Sequence, residues 1–139
     1  MSTPPPSGPD IIRYWLRTSP FVGHLHIELV TLEPGKAILR LPYDTTMTTI
    51  GTVVHGGAIA TLIDTAAAAA AWSDIEAPTS MRGATVSLAL SYLAAADSED
   101  TLATARVLRR GSSLVYLDVD VMTASGKAVA KGLATYKIG

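Results

Sequence analysis

The sequence contains no cysteine, which excludes a disulfide framework and a thiolate nucleophile. Aromatic side chains make up only 6% and charged side chains 17% of the 139 residues, and the formal charge at pH 7 is -1. Because no broad basic surface is available to meet phosphates or anionic lipids, we expect neither a nucleic acid nor a membrane as a partner. The composition is compatible with a cytoplasmic protein.

Proline is concentrated at the N-terminus, in a segment that lacks the basic and apolar regions of a secretory signal. We predict that residues 1–9 are a flexible proline-rich leader and that residues 10–139 form a single domain. The most apolar run, residues 56–72, is short for a membrane span, and lipid would penalise the Asp64 near its middle. This run is therefore predicted to be a buried helix of a globular domain.

Hydrophobic periodicity predicts the elements in the first half of the chain. A short helix with Asp10 as its N-cap is expected to end at Ser19-Pro20, and two β-rich runs, residues 24–33 and 37–41, flank a turn. A polar loop, residues 42–52, precedes the long apolar helix, which we place from Ala58 to about Ser73.

The second half of the chain alternates with period two and predicts four strands, at residues 81–93, 101–109, 114–122 and 127–138. Their short links predict hairpins and hence an antiparallel meander. The predicted fold class is α+β, with one curved antiparallel sheet wrapped around one long central helix.

The stretch from His55 to Asp64 is the best candidate for chemistry. Two glycines, Gly56 and Gly57, stand at a predicted helix start, where unpaired N–H groups attract an incoming oxygen. Such a donor fits an oxyanion hole. Asp64 has almost no polar neighbours on the helix, and an isolated buried carboxylate is costly, which favours a functional role. The competing interpretations are that Gly56 and Gly57 only allow a tight helix start and that Asp64 is a helix carboxylate paired with an arginine.

Asp64 lies eight residues after Gly56, or ~12 Å along a helix axis, which is too far for both groups to act on one carbonyl. If two chains pair about a twofold axis with their helices antiparallel, Asp64 of one chain approaches Gly56 of the other. We therefore expect a homodimer to be required for the site.

Residues 51–65, GTVVHGGAIATLIDT, closely resemble the signature of the PaaI-type hotdog acyl-CoA thioesterases, the phenylacetyl-CoA thioesterase family. The resemblance extends over most of the chain outside the leader. Further similar segments are residues 21–25, 33–35, 86–93 and 109–114. The resemblance implies a hotdog fold and active sites at a dimer interface. It also implies the hydrolysis of aryl- or medium-chain acyl-CoA and an assembly that is often a homotetramer.

The resemblance also implies roles for single residues. Asp64 would be the catalytic carboxylate, acting as a general base or as a nucleophile. The Gly56 N–H would stabilise the oxyanion, and His55 would orient the loop. Thr85 matches a hydroxyl that helps to place water near the carboxylate.

One position departs from the family pattern. Many relatives carry Asn or Gln a few residues before the histidine, where this chain offers Thr48 and Thr49, and the spacing from Gly51 to His55 is one residue longer than in many members. We assign Thr49, with Gly57, to substrate binding.

Coenzyme A is the expected partner as part of the substrate, and we expect no metal and no organic cofactor. The candidates for contacts with its phosphates are two arginines and a polar turn, whose guanidinium and N–H groups suit phosphate oxygens. These residues are Arg109, Arg110, Gly111, Ser112 and Ser113.

Other functions are weaker. His24 and His26 would share one strand face and could bind a metal, but no third ligand is apparent. No Gly-x-Ser-x-Gly motif supports a serine hydrolase. A hotdog hydratase would use an Asp and His pair, and Asp44 with His55 fits that spacing poorly. The main alternative is a protein that binds acyl-CoA without hydrolysing it, for which Asp64 would have little use.

Overall fold

The computed structural model describes residues 4–139, so Met1, Ser2 and Thr3 of the predicted leader lie outside the described residues. The described chain forms three α-helices, a 3-10 turn at Thr45–Met47 and one six-stranded sheet. The helices are α1 (Gly8–Thr18), α2 (Pro20–Leu25) and α3 (Gly56–Trp72). The strands are β1 (Glu28–Glu33), β2 (Lys36–Leu41), β3 (Gly83–Tyr92), β4 (Thr101–Arg110), β5 (Leu114–Thr123) and β6 (Ala128–Ile138).

The sheet wraps around α3, as the sequence predicts. Its strand order is β1-β2-β4-β5-β6-β3, and every pair is antiparallel. Alternate residues of β2, β4, β5 and β6 are buried towards the helix, which is the period-two pattern of strands with one face on a core. No helix within residues 4–139 is long and apolar enough to cross a membrane.

The long helix α3 is buried because its sequence is apolar on nearly every side. Its C-terminal Trp72 is fully buried, packs edge-on against Trp15 of α1 at 5.4 Å between ring centroids, and donates to the Tyr136 hydroxyl at 3.0 Å. One stripe of α3 stays partly exposed, with members spaced three or four residues apart on one face. The exposed stripe of α3 consists of Gly57, Ala60, Thr61, Asp64, Thr65 and Ala68.

The N-terminal segment differs from the prediction. The N-cap of α1 is Ser7 rather than Asp10, because the Ser7 side chain accepts from the Asp10 N–H while the Asp10 carboxylate accepts from the Ser7 N–H. The Ser7 N–H and the Ser7 hydroxyl both donate to the Asp10 carboxylate and lower the pKa of Asp10. Helix α1 thus includes residues 8 and 9, which the sequence analysis assigned to the leader.

The prediction of a strand from residue 24 was wrong for residues 24–27. Pro20 begins a second short helix, α2, which ends at His26 in the left-handed conformation with φ 56°. Proline is favoured at the first position of a helix, so Ser19-Pro20 both ends α1 and begins α2. Strand β1 begins only at Glu28.

The predicted four-stranded meander is correct for β4, β5 and β6 but wrong for β3. Strand β3 pairs with β6, and β4 pairs with β2 and β5. The link of residues 93–100 therefore crosses the end of the sheet instead of closing a hairpin. Strand β3 is left at one edge of the sheet, where its outer backbone groups have no neighbouring strand within the described chain.

Candidate active site

Asp64 lies at the middle of the exposed stripe of α3, half-buried beneath β3. The Thr85 hydroxyl of β3 donates to its Oδ1 at 2.6 Å. The structure thus brings together two residues that the resemblance assigns to one site, although they are 21 positions apart. A hydrogen bond to one carboxylate oxygen fixes the orientation of the other.

The surroundings of Asp64 are polar but uncharged. No Lys, Arg or His nitrogen within residues 4–139 comes within 4.0 Å of its oxygens, so the interpretation as an arginine-paired carboxylate is not supported. Tyr136 lies opposite Thr85 in the β3–β6 ladder. Burial raises the pKa of Tyr136, the hydrogen bond from Trp72 lowers it, and the charge of Asp64 raises it further, so the phenol is neutral near pH 7.

The first turn of α3 leaves one N–H group free. His55 is the N-cap, and its Nδ1 accepts from the Gly57 N–H at 2.7 Å, which requires the proton of a neutral imidazole to be on Nε2. Ala58 donates to the His55 carbonyl oxygen. The Gly56 N–H has no acceptor within residues 4–139, so it is the donor of this turn that remains for a ligand oxygen.

Tyr92, at the end of β3, contacts Gly56 and was not predicted as a site residue from the sequence. Its hydroxyl donates to the Gly56 carbonyl oxygen at 2.8 Å, and a Cβ at position 56 would lie 3.3 Å from its ring. The approach is close, but a methyl group at position 56 would require the Tyr92 ring to shift by only a few tenths of an ångström. No local sequence signal pairs these residues, because they are 36 positions apart.

The loop before α3 is attached to the link between β3 and β4. Val54 donates to the Ala96 carbonyl oxygen at 2.9 Å, and the Thr52 hydroxyl bonds to the Asp97 carboxylate, which lowers the pKa of Asp97. Thr49 lies exposed in this loop, where its N–H donates to the Val53 carbonyl oxygen at 2.9 Å. Its hydroxyl bonds to neither Asp64 nor His55 within this chain.

Four of the five residues predicted to contact coenzyme A surround one cavity at the β4–β5 turn, and Arg110 does not line it. The cavity has a volume of about 620 Å³ and is lined by Arg109, Gly111, Ser112 and Ser113 together with Leu114 and Tyr116. Arg109 is exposed, and no carboxylate oxygen within residues 4–139 lies within 4.0 Å of it. Its guanidinium is therefore available to an anion.

Arg110 is placed differently from Arg109. Its guanidinium pairs with Asp74 and donates to the Ala71 carbonyl oxygen at 2.7 Å. The ion pair and this hydrogen bond tie the β4–β5 turn to the C-terminal end of α3. That end lies ~24 Å from Gly56 along the helix, so the cavity and the free N–H of one chain are far apart.

The residues considered for the alternative functions form neither a metal site nor an Asp44–His55 hydrogen bond within residues 4–139. His24 belongs to α2 and His26 caps it, so the expectation that they share a strand face was wrong. Within residues 4–139, no three His, Cys, Asp or Glu side chains are grouped to hold a metal. Asp44 accepts from the Thr46 N–H and hydroxyl at the start of the 3-10 turn, and these bonds lower its pKa.

Known proteins share this sequence pattern and this architecture. The sequence profile of the thioesterase superfamily matches residues 51–130. Human acyl-coenzyme A thioesterase 13 is 34% identical over 116 residues, which cover 81% of this chain and 80% of the human protein.

Two solved structures show the same fold. A thioesterase family protein from Silicibacter pomeroyi superposes with a TM-score of 0.85 at 27% identity, covering 96% of this chain and all of that one. The PaaI protein of the E. coli phenylacetic acid degradation operon superposes with a TM-score of 0.77 at 20% identity, covering 91% and 92% of the two chains. The predicted hotdog fold is confirmed, and the chain belongs to the thioesterase superfamily.

Proposed function

We propose that this protein is a PaaI-type thioesterase that hydrolyses aryl- or medium-chain acyl-CoA to the free acid and coenzyme A. The observation that carries the proposal is the Asp64 carboxylate, which Thr85 orients at 2.6 Å on a partly exposed helix face free of basic partners within the described chain. Human acyl-coenzyme A thioesterase 13, at 34% identity, supports the same reaction class by its name.

Asp64 acts on the thioester in one of two ways. As a general base it takes a proton from water while the water oxygen attacks the carbonyl carbon, after which the carbon–sulfur bond breaks and the thiolate leaves with the proton. As a nucleophile its free oxygen attacks the carbon, the thiolate leaves, and water then hydrolyses the anhydride. Both routes consume one water and need neither a metal nor an organic cofactor.

The Gly56 N–H stabilises the oxyanion that either route generates. A preorganised donor of this kind is worth ~3 kcal/mol of barrier lowering. His55 supports the donor indirectly, because its bond to the Gly57 N–H fixes the following peptide. Thr85 and Gly57 line the reacting groups, and Thr49 is the proposed counterpart of the amide side chain that many relatives carry.

The site is completed by a second copy of the chain. The ~12 Å between Gly56 and Asp64 along α3 prevents one chain from supplying both groups to one carbonyl. Strand β3 is ten residues long, lies at the edge of the sheet and carries exposed apolar side chains such as Val86 and Leu88. Pairing of two β3 strands about a twofold axis would cover them and bring the two α3 helices together. We propose a homodimer, with a homotetramer as its further assembly.

Coenzyme A is bound at the β4–β5 turn. Arg109 and the turn Gly111-Ser112-Ser113 line the 620 Å³ cavity, which can accept the nucleotide phosphates through guanidinium and N–H donors. Arg110 contributes by anchoring the turn to α3 through Asp74. In the proposed dimer the end of α3 that carries the turn lies ~12 Å along the helix from the Asp64 that meets the partner's Gly56.

The proposal is tested by incubating the protein with a panel of acyl-CoA substrates and measuring the free thiol of coenzyme A that hydrolysis releases. The wild-type protein is expected to turn over aryl- or medium-chain acyl-CoA, and Asp64→Ala is expected to abolish turnover while the fold and acyl-CoA binding are retained. Full activity of Asp64→Ala would contradict the assignment. Binding of acyl-CoA by the wild type without turnover would favour the non-catalytic acyl-CoA binder instead.

The role of the Gly56 N–H can be isolated with two substitutions. Gly56 is the first residue of α3 and His55 before it has extended backbone (φ -61°, ψ 133°), a setting that proline accepts. Gly56→Pro removes the N–H, whereas Gly56→Ala keeps it and adds the same Cβ against Tyr92. We expect Gly56→Pro to lower kcat by about 100-fold relative to Gly56→Ala. Equal activity of the two variants would show that this N–H is not the oxyanion donor.

A further inference from the structure

A groove of about 390 Å³ lies between α1 and the start of β1, at the edge of the sheet opposite to β3. Its floor is apolar, because Leu16 of α1, Ile27 just before β1 and Leu29 of β1 line it and are buried or half-buried. The volume falls within the range of small-molecule sites. Asp64 lies beneath β3 at the other edge, so the groove is separate from the proposed active site.

Two arginines of α1 form the rim of this groove. Arg13 and Arg17 both line it, both are exposed, and they stand four positions apart, so they lie on the same face of the helix. No carboxylate oxygen within residues 4–139 lies within 4.0 Å of either guanidinium. Two guanidiniums without an anionic partner therefore stand above an apolar floor.

The nearest carboxylates in the sequence are bound to other groups. Glu28, the acidic residue of the lining, accepts from the Arg40 Nε at 3.0 Å and forms an ion pair with the same guanidinium. Asp10 accepts from the Ser7 N–H at 3.0 Å and from the Ser7 hydroxyl at 2.9 Å in the capping box of α1. Neither carboxylate forms an ion pair with the arginines of the rim.

Like charges four residues apart on a helix repel each other. The C-terminal end of the helix dipole favours Arg17, which stands in the last turn of α1, whereas Arg13 stands mid-helix and gains less from it. A carboxylate between them would relieve the repulsion and accept charge-assisted hydrogen bonds from both. Because the floor is apolar, a hydrocarbon body attached to that carboxylate would gain further contacts.

We propose that this groove binds a free carboxylic acid, with its carboxylate on Arg13 and Arg17 and its hydrocarbon body on the apolar floor. A free acid fits better than a protein segment, because a groove of this volume suits one small molecule. The site goes beyond the proposed function, and its test requires no turnover. The proposed pairing of β3 strands uses the other edge of the sheet and leaves the groove open.

Chemical protection of the wild-type chain tests the site directly. Phenylglyoxal modifies accessible arginines, and mass spectrometry of the peptides gives the rate for each one. Octanoate at about ten times its Kd is expected to slow the modification of Arg13 and Arg17 about tenfold, because about nine in ten grooves are then occupied. Arg82, which is exposed and outside the lining, is the internal control and is expected to react at an unchanged rate. Unchanged rates at Arg13 and Arg17 would overturn the proposal, even if octanoate binds elsewhere on the protein.

Three further probes identify what the groove recognises. Acetate has the carboxylate without the chain and octanol the chain without the carboxylate, so each is expected to slow modification less than about twofold at the same concentration. Protection by octanol equal to that by octanoate would overturn the role of the arginines. Equal protection by acetate would overturn the role of the apolar floor. Protection by glycyl-glycyl-leucine at lower concentrations than octanoate would assign the groove to a polypeptide C-terminus and overturn the choice of a free acid.

A single substitution shows whether the two guanidiniums share one ligand. In Arg13→Gln, protection of the remaining Arg17 is expected to need at least about tenfold more octanoate, because a charged hydrogen-bond donor is lost. Arg82→Gln is the matched control and is expected to leave the protection of Arg17 unchanged. If Arg13→Gln also leaves it unchanged, the shared site is wrong. The wild-type experiment remains decisive whether or not this variant folds.

Discussion

The peptide between Gly56 and Gly57 is held at both ends by side chains from different parts of the chain. The Tyr92 hydroxyl donates to its carbonyl oxygen at 2.8 Å, and the His55 Nδ1 accepts from its N–H at 2.7 Å. Glycine has the largest torsional freedom of any residue, so two consecutive glycines need such restraints to present a donor in one direction. Tyr92 is therefore a positioning residue for the proposed oxyanion donor.

Tyr92→Phe tests this role because it keeps the ring against Gly56 and removes only the hydroxyl. We expect kcat to fall about tenfold with KM little changed, since one hydrogen bond of about 1 kcal/mol fixes a group used in the transition state. Tyr14→Phe, on α1, is the control and is expected to have wild-type kinetics. A rise in KM at constant kcat would show instead that Tyr92 only contacts bound substrate.

The sequence predicts some of these residues and misses others for a physical reason. Asp64 and Gly56 stand in one continuous run of residues, so their spacing and the helix that carries them can be derived from the sequence. Thr85 was proposed from the resemblance alone, and its contact with Asp64 depends on how β3 crosses α3. Tyr92 was missed because the same crossing brings it to Gly56.

At the scale of elements, α1 docks against the end of α3 through a residue without a side chain. The Gly8 N–H donates to the Ile75 carbonyl oxygen at 2.7 Å, and a Cβ at position 8 would overlap the Trp72 carbonyl oxygen. The sequence predicts that the domain begins at residue 10, since proline and glycine in residues 4–9 are typical of a flexible segment. The capping box of Ser7 and Asp10 and this close approach order the residues just before that boundary.

Gly8→Ala is expected to destabilise the fold by about 2 kcal/mol, because backbone atoms must move to admit the new methyl group. Gly23→Ala is the matched control: Gly23 is also helical, and a Cβ there meets nothing within 4 Å. We expect the control to change stability by less than about 1 kcal/mol, in the stabilising direction. Thermal denaturation of both variants measures the difference, and equal melting temperatures would contradict the close packing at Gly8.

For most strand ends, the predicted position lies within one or two residues of the observed one. The order of the strands in the sheet was not predictable from the sequence. Alternation along β4, β5 and β6 is a local property that the sequence displays. The pairing of β3 with β6 instead of β4 is decided by long-range packing around α3, and a link of eight residues is compatible with either arrangement.

At the scale of the whole molecule, the proposed site joins Asp64 of one protomer to Gly56 of its partner, and mixing two inactive variants tests this. A heterodimer of Asp64→Asn and Gly56→Pro chains contains one intact site and one doubly altered site. Refolding the two variants together at equal concentration is expected to restore about a quarter of the wild-type activity, because half of the dimers are mixed and each has one site.

In the control, the two variants are folded separately and then mixed, so that no subunits are exchanged. This mixture is expected to remain inactive. If refolding together restores no activity although mixed dimers form, each site is built within one chain and the twofold arrangement of the site is wrong. Mass spectrometry of the intact assembly establishes whether the mixed dimers have formed.

The edge strand β3 has a consequence for how activity depends on the amount of protein present. It carries Thr85, which orients Asp64, and Tyr92, which holds Gly56, and it also exposes the apolar side chains of the proposed interface. Dissociation would therefore separate the two halves of each site and uncover the strand that shapes both. By mass action, specific activity would then decline on dilution before any loss of secondary structure, so turnover itself would report the monomer–dimer equilibrium.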